Sequence, residues 1–125
     1  MHRLLREGAL WLPPLLLMTL IFALSAMPGD GEDHGFLYVL TRKLGHFTEY
    51  ALLMALWWRG LRTRLSVRAA VGLSWALTVG YAVTDELHQL AVEERTGSPL
   101  DVVIDGAGAA AACGLILRRR DRSHA

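Results

Sequence analysis

The chain is poor in cysteine, with Cys113 as the single example in its 125 residues. An internal disulfide is therefore excluded, and cysteine usage leaves the redox compartment open. The sequence also lacks a zinc-type cysteine pattern, a glycine-rich phosphate loop and any low-complexity segment. These absences exclude a cysteine-based zinc module and a P-loop nucleotide site, and no soluble cofactor is expected.

Charge is scarce over long stretches of the chain, although charged residues make up 20% of the whole. A hydrophobic fraction of 53% is high for a small soluble domain, yet this much charge is too great for uniform burial in lipid. The charges must therefore be segregated. The net charge of +1, with its bases in short groups, gives no indication of nucleic-acid binding.

Four apolar stretches predict an all-α fold, an integral membrane bundle of four transmembrane helices over about 8–27, 36–58, 67–89 and 99–117. About twenty residues at 1.5 Å each cross a hydrocarbon core of about 30 Å. The length predicts a single domain over residues 1–125. Pro13 and Pro14 are expected to kink the first helix. A cleaved secretory signal peptide is the alternative for that stretch.

The basic residues mark one side of the predicted membrane. Ten of the 13 lie in the two terminal segments and in the loop between the second and third stretches, leaving three for the other side. Because bases in short loops mark the cytoplasmic side, both termini are predicted to be cytoplasmic. The ten are Arg3, Arg6, Arg59, Arg62, Arg64, Arg68, Arg118, Arg119, Arg120 and Arg122.

Polar side chains that could bind a ligand or take part in catalysis gather near the opposite, outer ends of the last three stretches. Spacings of three, four and seven residues place them in stripes on single helix faces. The candidates are Lys43, His46, Glu49 and Tyr50; Tyr81, Asp85, Glu86, His88 and Gln89; Asp101 and Asp105; and Arg95 between the last two stretches. A buried ionic cluster that only holds the bundle together is the alternative interpretation. A solvated rim is predicted for Asp30, Glu32, Asp33, Glu93 and Glu94.

Small residues recur every four positions on the third and fourth stretches. This spacing is typical of membrane helices that pack closely against each other, so we predict that both series lie in helix interfaces. The two series are Gly72, Ala76 and Gly80, and Gly106, Ala110 and Gly114.

The order of the polar residues resembles the VanZ-like family of small multi-pass bacterial membrane proteins. That family shows Lys-xx-His-xxx-Tyr, then Asp-Glu-xx-Gln, then an Arg followed by Asp-xxx-Asn-xx-Gly. The matching residues here are Lys43, His46 and Tyr50; Asp85, Glu86 and Gln89; and Arg95, Asp101, Asp105 and Gly108. Asp105 departs from the pattern, because it replaces a neutral amide with an acid that can carry charge or a proton.

The resemblance implies a bacterial cytoplasmic-membrane protein of the cell envelope, in a family named for a member linked to teicoplanin resistance. The first functional hypothesis is binding of an amphiphilic envelope ligand (a lipid headgroup, a cell-wall precursor or a glycopeptide) at the outer leaflet. Lys43 and Arg95 would contact its anionic groups, while Gln89 and the carboxylates would accept hydrogen bonds. Membrane lipids are the other expected partners. The oligomeric state is left open.

The second hypothesis is an intramembrane enzyme acting on a lipid-linked substrate. Its acid–base candidates are His46, Glu49, Asp85 and Glu86. A divalent metal held by His46, Glu49, His88 and a carboxylate is a variant of this hypothesis, although no recognised metal motif is present. Proton or ion passage along the acids is a third hypothesis, disfavoured because the inner half of each stretch looks apolar.

Overall fold

The computed structural model describes residues 1–25, 35–91 and 99–123, except for the side chains of 25, 39, 89–91, 99–102, 121 and 123. These ranges contain four α-helices and no strand, which confirms the all-α prediction. The helices are α1 (His2–Ser25), α2 (Gly35–Leu61), α3 (Val67–Ala91) and α4 (Pro99–Ser123).

Two helices extend about six residues beyond the apolar stretches that predicted them. α1 begins at His2 rather than near residue 8, and α4 continues to Ser123 rather than Leu117. Hydropathy marks only the apolar part of a helix, whereas Arg, Glu and Leu are all good helix formers. The added turns therefore carry the arginines and acids that the hydropathy pattern had placed outside the helices.

α1 continues through Pro13 and Pro14 as a single helix. Proline has no N–H, so the carbonyl of Ala9, four residues before Pro13, loses its helical donor. The guanidinium of Arg59 from α2 donates a hydrogen bond to that carbonyl. A neighbouring helix thus satisfies the backbone group that the proline leaves open, as membrane helices require.

The connection between α2 and α3 is a tight turn over residues 62–65. Backbone hydrogen bonds from the turn reach back to Trp58, Gly60 and Leu61. The hydroxyl of Ser66 then accepts a weak bond from the Ala69 N–H at 3.4 Å, in the manner of a helix N-cap. The short turn makes α2 and α3 antiparallel neighbours.

α2 contacts all three other helices, whereas α1 and α4 do not contact each other within the described residues. One apolar cluster joins Ile21 of α1, Tyr50 and Leu53 of α2 and Ala82 of α3. A second joins Met54 of α2 to two alanines of α4. The core is small because most large apolar side chains face outward.

The small-residue prediction for α3 is wrong in its register. Gly72 and Gly80 face outward, and a Cβ at either position would meet nothing within 4 Å. The buried series lies two residues away, at Ala70, Ser74, Thr78 and Ala82. Both series have period four, so spacing alone does not distinguish them. On α4, likewise, Ala110 and Gly114 face outward.

The outer surface of the bundle is apolar over much of its length. Leu16 is 60% exposed, Leu73 43% and Leu115 62%. By length and composition, two helical segments could cross a membrane, His2–Leu24 and Val67–His88, in a search limited to the described residues. Exposed apolar surface of this extent is typical of proteins that contact membranes or partners.

Candidate functional site

α2 and α4 touch backbone to backbone at Gly108. A Cβ at this position would overlap the carbonyl oxygen of Phe47 and lie 3.2 Å from its Cα. Only glycine allows this approach. Phe47 directly follows His46, and Asp105 lies one turn before Gly108, so the contact brings the imidazole and the carboxylate together.

His46 and Asp105 lie within ion-pair distance of each other across the α2–α4 interface. The distance from His46 Nδ1 to Asp105 Oδ1 is 3.4 Å, with the side chains 21% and 3% exposed. The contact is long for a hydrogen bond but well within ion-pair range. A carboxylate facing Nδ1 orients the ring and favours the tautomer that leaves Nε2 as an acceptor.

Tyr50 connects this pair to α3. Its ring is stacked with that of His46 at a centroid distance of 6.5 Å, and its hydroxyl donates a 3.1 Å hydrogen bond to Asp85 Oδ2. Tyr50 is fully buried and Asp85 is 3% exposed. The four side chains therefore form one connected unit across three helices, which we call the polar cluster: His46, Tyr50, Asp85 and Asp105.

The polar cluster lies near one end of the bundle. Asp85 precedes the end of α3 at Ala91 by six residues, and Asp105 follows the start of α4 at Pro99 by six. Six helical residues span about 9 Å, so each carboxylate lies about 9 Å from the end of its helix and about the same distance from the helix midpoint. Lys43, Glu49 and Glu86 are half-buried on the neighbouring turns of α2 and α3.

Two predicted residues of α3 are turned toward α1 instead. Tyr81 donates its hydroxyl proton to the carbonyl of Met18, although its ring still lies 6.4 Å from that of Tyr50. His88 stacks on Phe22 with a centroid distance of 4.4 Å. Both side chains thus help to hold α1 against α3.

The metal variant of the enzyme hypothesis has no support in the described part of the chain. There, no three side chains of His, Cys, Asp or Glu come close enough together to hold a metal ion. His88 faces Phe22, away from the contact between His46 and Asp105. Arg95 and the side chains of Gln89 and Asp101 lie outside the described residues.

The opposite end of the bundle gathers the basic residues of three segments. Arg64 in the α2–α3 turn pairs with Glu7 of α1 at 2.6 Å and lies 5.4 Å from the centre of the Trp11 ring. Arg120 of α4 lies 5.8 Å from the Trp58 ring of α2. The ring of Trp11 fits against Gly60, where a Cβ would lie only 2.7 Å away. We call this region, with the α2–α3 turn, the first turns of α1 and α3 and the last turns of α2 and α4, the arginine end.

Sequence reasoning missed two buried hydroxyls on the half of α3 that leads to the arginine end. Ser74 and Thr78 are fully buried, and each donates to the carbonyl four residues before it. The face of α3 that carries Asp85 is therefore less apolar than we assumed from the sequence when we disfavoured proton or ion passage. The four-residue spacing of Ala70, Ser74 and Thr78 was visible in the sequence, but the glycine series was the more conspicuous one.

Two features of the fold are those of helical membrane proteins: an apolar exterior with two helices able to cross a bilayer, and acids buried between helices. The chain belongs to the VanZ/LLP1 family, whose family model matches residues 10–120. This membership confirms the resemblance carried by the polar motifs. Neither the curated proteins nor the solved structures contain a match to this chain.

Proposed function

We propose that this VanZ/LLP1-family protein is a single-domain, four-span protein of the bacterial cytoplasmic membrane, with both termini in the cytoplasm. The supporting observation is the contact of Arg64 with Glu7 and of Arg120 with Trp58. These contacts gather the start of α1, the end of α2 and the end of α4 at one end of the bundle. Bases concentrated at one end favour the cytoplasmic side for that end.

Reporter fusions test this topology directly. Green fluorescent protein attached after Ala125 or inserted after Leu65 is expected to fluoresce, since it folds in the cytoplasm. Alkaline phosphatase inserted after Gly31 or Thr96 is expected to be active, since it requires export. Active phosphatase after Leu65 would contradict the proposed orientation, and an inactive enzyme at both outer sites would contradict the four-span arrangement.

We further infer that the polar cluster and its neighbours bind the polar headgroup of an amphiphilic envelope molecule at the outer leaflet. The observation that carries this inference is the burial of Asp85 and Asp105, each 3% exposed, between three helices. Burying ionisable groups in a membrane is costly, so such groups usually mark a functional site. Their position near the helix ends is within reach of a headgroup, while the apolar exterior suits acyl chains.

The roles within this site follow from charge. Lys43 and Arg95 would bind phosphate or carboxylate groups, while Glu86, Gln89 and Asp101 would accept hydrogen bonds from hydroxyls or amines. If the ligand is a lipid-bearing glycopeptide or its cell-wall target, binding would protect the cell from that antibiotic. Arg95→Ala and Glu86→Gln are then each expected to abolish protection at unchanged protein levels in the membrane. Wild-type protection in both variants would contradict this role.

Native mass spectrometry of the detergent-purified chain tests ligand binding. We expect an envelope lipid or precursor to copurify with the wild type and to be lost in His46→Ala, which removes the ring that faces Asp105 and Tyr50. His2→Ala is the matched control, because His2 is exposed in the first turn of α1. Equal lipid content in all three proteins would contradict a ligand site at the polar cluster.

The His46–Asp105 contact also favours a second candidate, acid–base catalysis on a lipid-linked substrate. A carboxylate at Nδ1 leaves Nε2 able to take a proton from an attacking hydroxyl or water. Incubation with a total envelope lipid extract, followed by mass spectrometry over time, distinguishes the two. A product that accumulates with wild type but not with His46→Ala indicates catalysis, whereas an unchanged lipid that stays bound indicates binding.

A further inference from the structure

We propose that the arginine end binds anionic phospholipid headgroups of the leaflet that it contacts. Five arginines of this region are exposed and have no acidic partner among the described side chains. They lie in the α2–α3 turn, in the first turns of α3 and in the last turns of α4. These five are Arg62, Arg68, Arg118, Arg119 and Arg122.

Two contacts make this surface a defined structure rather than a set of loose side chains. The guanidinium of Arg64 is held by Glu7 at 2.6 Å and by the face of Trp11. The guanidinium of Arg120 lies over the face of Trp58. Tryptophan rings favour the headgroup level of a bilayer, so these contacts place the neighbouring arginines at the depth of the phosphates.

The charge balance identifies the headgroups as anionic. The ten bases of this end are accompanied by only two acids in the sequence, Glu7 and Asp121. Glu7 is already paired with Arg64. Each basic residue near an anionic membrane surface contributes roughly a fivefold increase in binding. A cluster of this size therefore favours an anionic lipid over a zwitterionic one.

Quenching of tryptophan fluorescence by brominated lipids measures this preference in a Trp75→Phe background, because the three remaining tryptophans, Trp11, Trp57 and Trp58, lie at the arginine end. The full chain would be reconstituted in dioleoylphosphatidylcholine vesicles that contain equal fractions of brominated phosphatidylglycerol or brominated phosphatidylcholine. We expect the phosphatidylglycerol to quench more strongly. The triple variant Arg118→Gln, Arg119→Gln and Arg122→Gln is expected to lower the preference at least fivefold.

Three controls make the result specific. Lysine at the same three positions keeps the charge and should retain the preference, as should Arg42→Gln, which removes an exposed base in the part of α2 that precedes His46. The double variant Arg62→Gln, Arg68→Gln replaces the triple variant if the latter misfolds by circular dichroism, and it should also lower the preference. Equal quenching by both lipids, or an unchanged preference in the glutamine variants, would overturn the proposal.

The inference rests on the proposed membrane location, and the same experiment tests that location separately. A chain that inserts into the vesicles is quenched by brominated phosphatidylcholine as well, whatever its preference. Absence of quenching by either lipid would contradict the membrane location itself. Quenching by both lipids to the same extent would contradict only the anionic-lipid site.

Discussion

The polar cluster and the arginine end both contain carboxylates in contact with other side chains, but the two regions differ in their exposure to solvent. In the cluster, Asp85 and Asp105 are each 3% exposed and contact partners on other helices. At the arginine end, the side chains of Arg64 and Glu7 are 52% and 34% exposed although they are only 2.6 Å apart. The distance between two charged groups therefore does not by itself determine how much their contact stabilises the fold. The exclusion of solvent is decisive, because hydration weakens ionic contacts.

The packing of the backbones explains why solvent is excluded at one end only. At the cluster, Gly108 lets α4 touch the backbone of α2, and the side chain of Asp105, one turn before it, is only 3% exposed. At the arginine end, α2 and α4 are ending, and the space between helices is filled by flat rings and long arginine stems. We therefore expect substitutions at the cluster to be more costly.

The largest effect is expected from Gly108→Ala. The added methyl group would overlap the carbonyl of Phe47, so we expect a loss of about 2–3 kcal/mol in the free energy of unfolding. Gly114→Ala on the same helix is the matched control, because a Cβ there meets nothing within 4 Å. That variant should be unchanged or stabilised by up to about 1 kcal/mol through helix propensity. Unfolding in mixed micelles by SDS measures both, and equal effects would contradict the close approach.

The next effect is expected from Tyr50→Phe. It removes a buried hydrogen bond to a carboxylate and should cost about 1–3 kcal/mol in the same unfolding measurement. Tyr81→Phe is the comparison, because its hydroxyl donates to a carbonyl within α1 and its side chain is only part-buried. We expect that loss to be smaller. A greater loss in Tyr81→Phe would show that attachment of α1, rather than the polar cluster, dominates stability.

A smaller effect is expected where Arg59 donates to the carbonyl of Ala9. Arg59→Ala should cost about 1 kcal/mol in the native background. In a Pro13→Ala background the new N–H can bond to the Ala9 carbonyl within α1, so the same change should cost clearly less. A double-mutant cycle measures this coupling. Equal costs in the two backgrounds would show that the arginine does not compensate for the proline.

The smallest effect is expected from Glu7→Gln. Both members of the Glu7–Arg64 pair are partly exposed, and surface ion pairs contribute little to stability. The melting temperature in detergent should stay within the scatter of repeat measurements, at low and at high salt. A clear, salt-sensitive destabilisation would contradict the contrast between the two ends.

Much of the fold followed from local pattern, because helix formation and hydropathy are read over neighbouring residues. The four helices lie where apolar stretches predicted them, and the motif from Lys43 to Gly108 led to the correct family. The rotation of α3 did not follow, since Gly72 and Ser74 belong to two series with the same period. Only contact with α2 and α4 determines which series is buried.

The candidate site was predicted as a set of residues but not as a set of contacts. His46, Tyr50, Asp85 and Asp105 were all among the candidates, but the sequence did not indicate which of them contact one another. The structure pairs one acid with a tyrosine and the other with a histidine. A list of candidate residues does not contain the distances between helices, so these contacts could not be chosen from it.

The sequence alone determined the segregation of charge: ten bases in three short segments and most of the acids elsewhere. Together with four apolar stretches, this segregation predicts which residues share an end of the bundle, because helix length and direction follow from local order. The tertiary structure decided which of these side chains are buried and which are exposed at each end. Close contact at Gly108 buries acids against His46 and Tyr50, whereas the ends of α2 and α4 leave the arginines exposed. Burial depends on how near the helices approach, and that distance is set by side chains far apart in the chain.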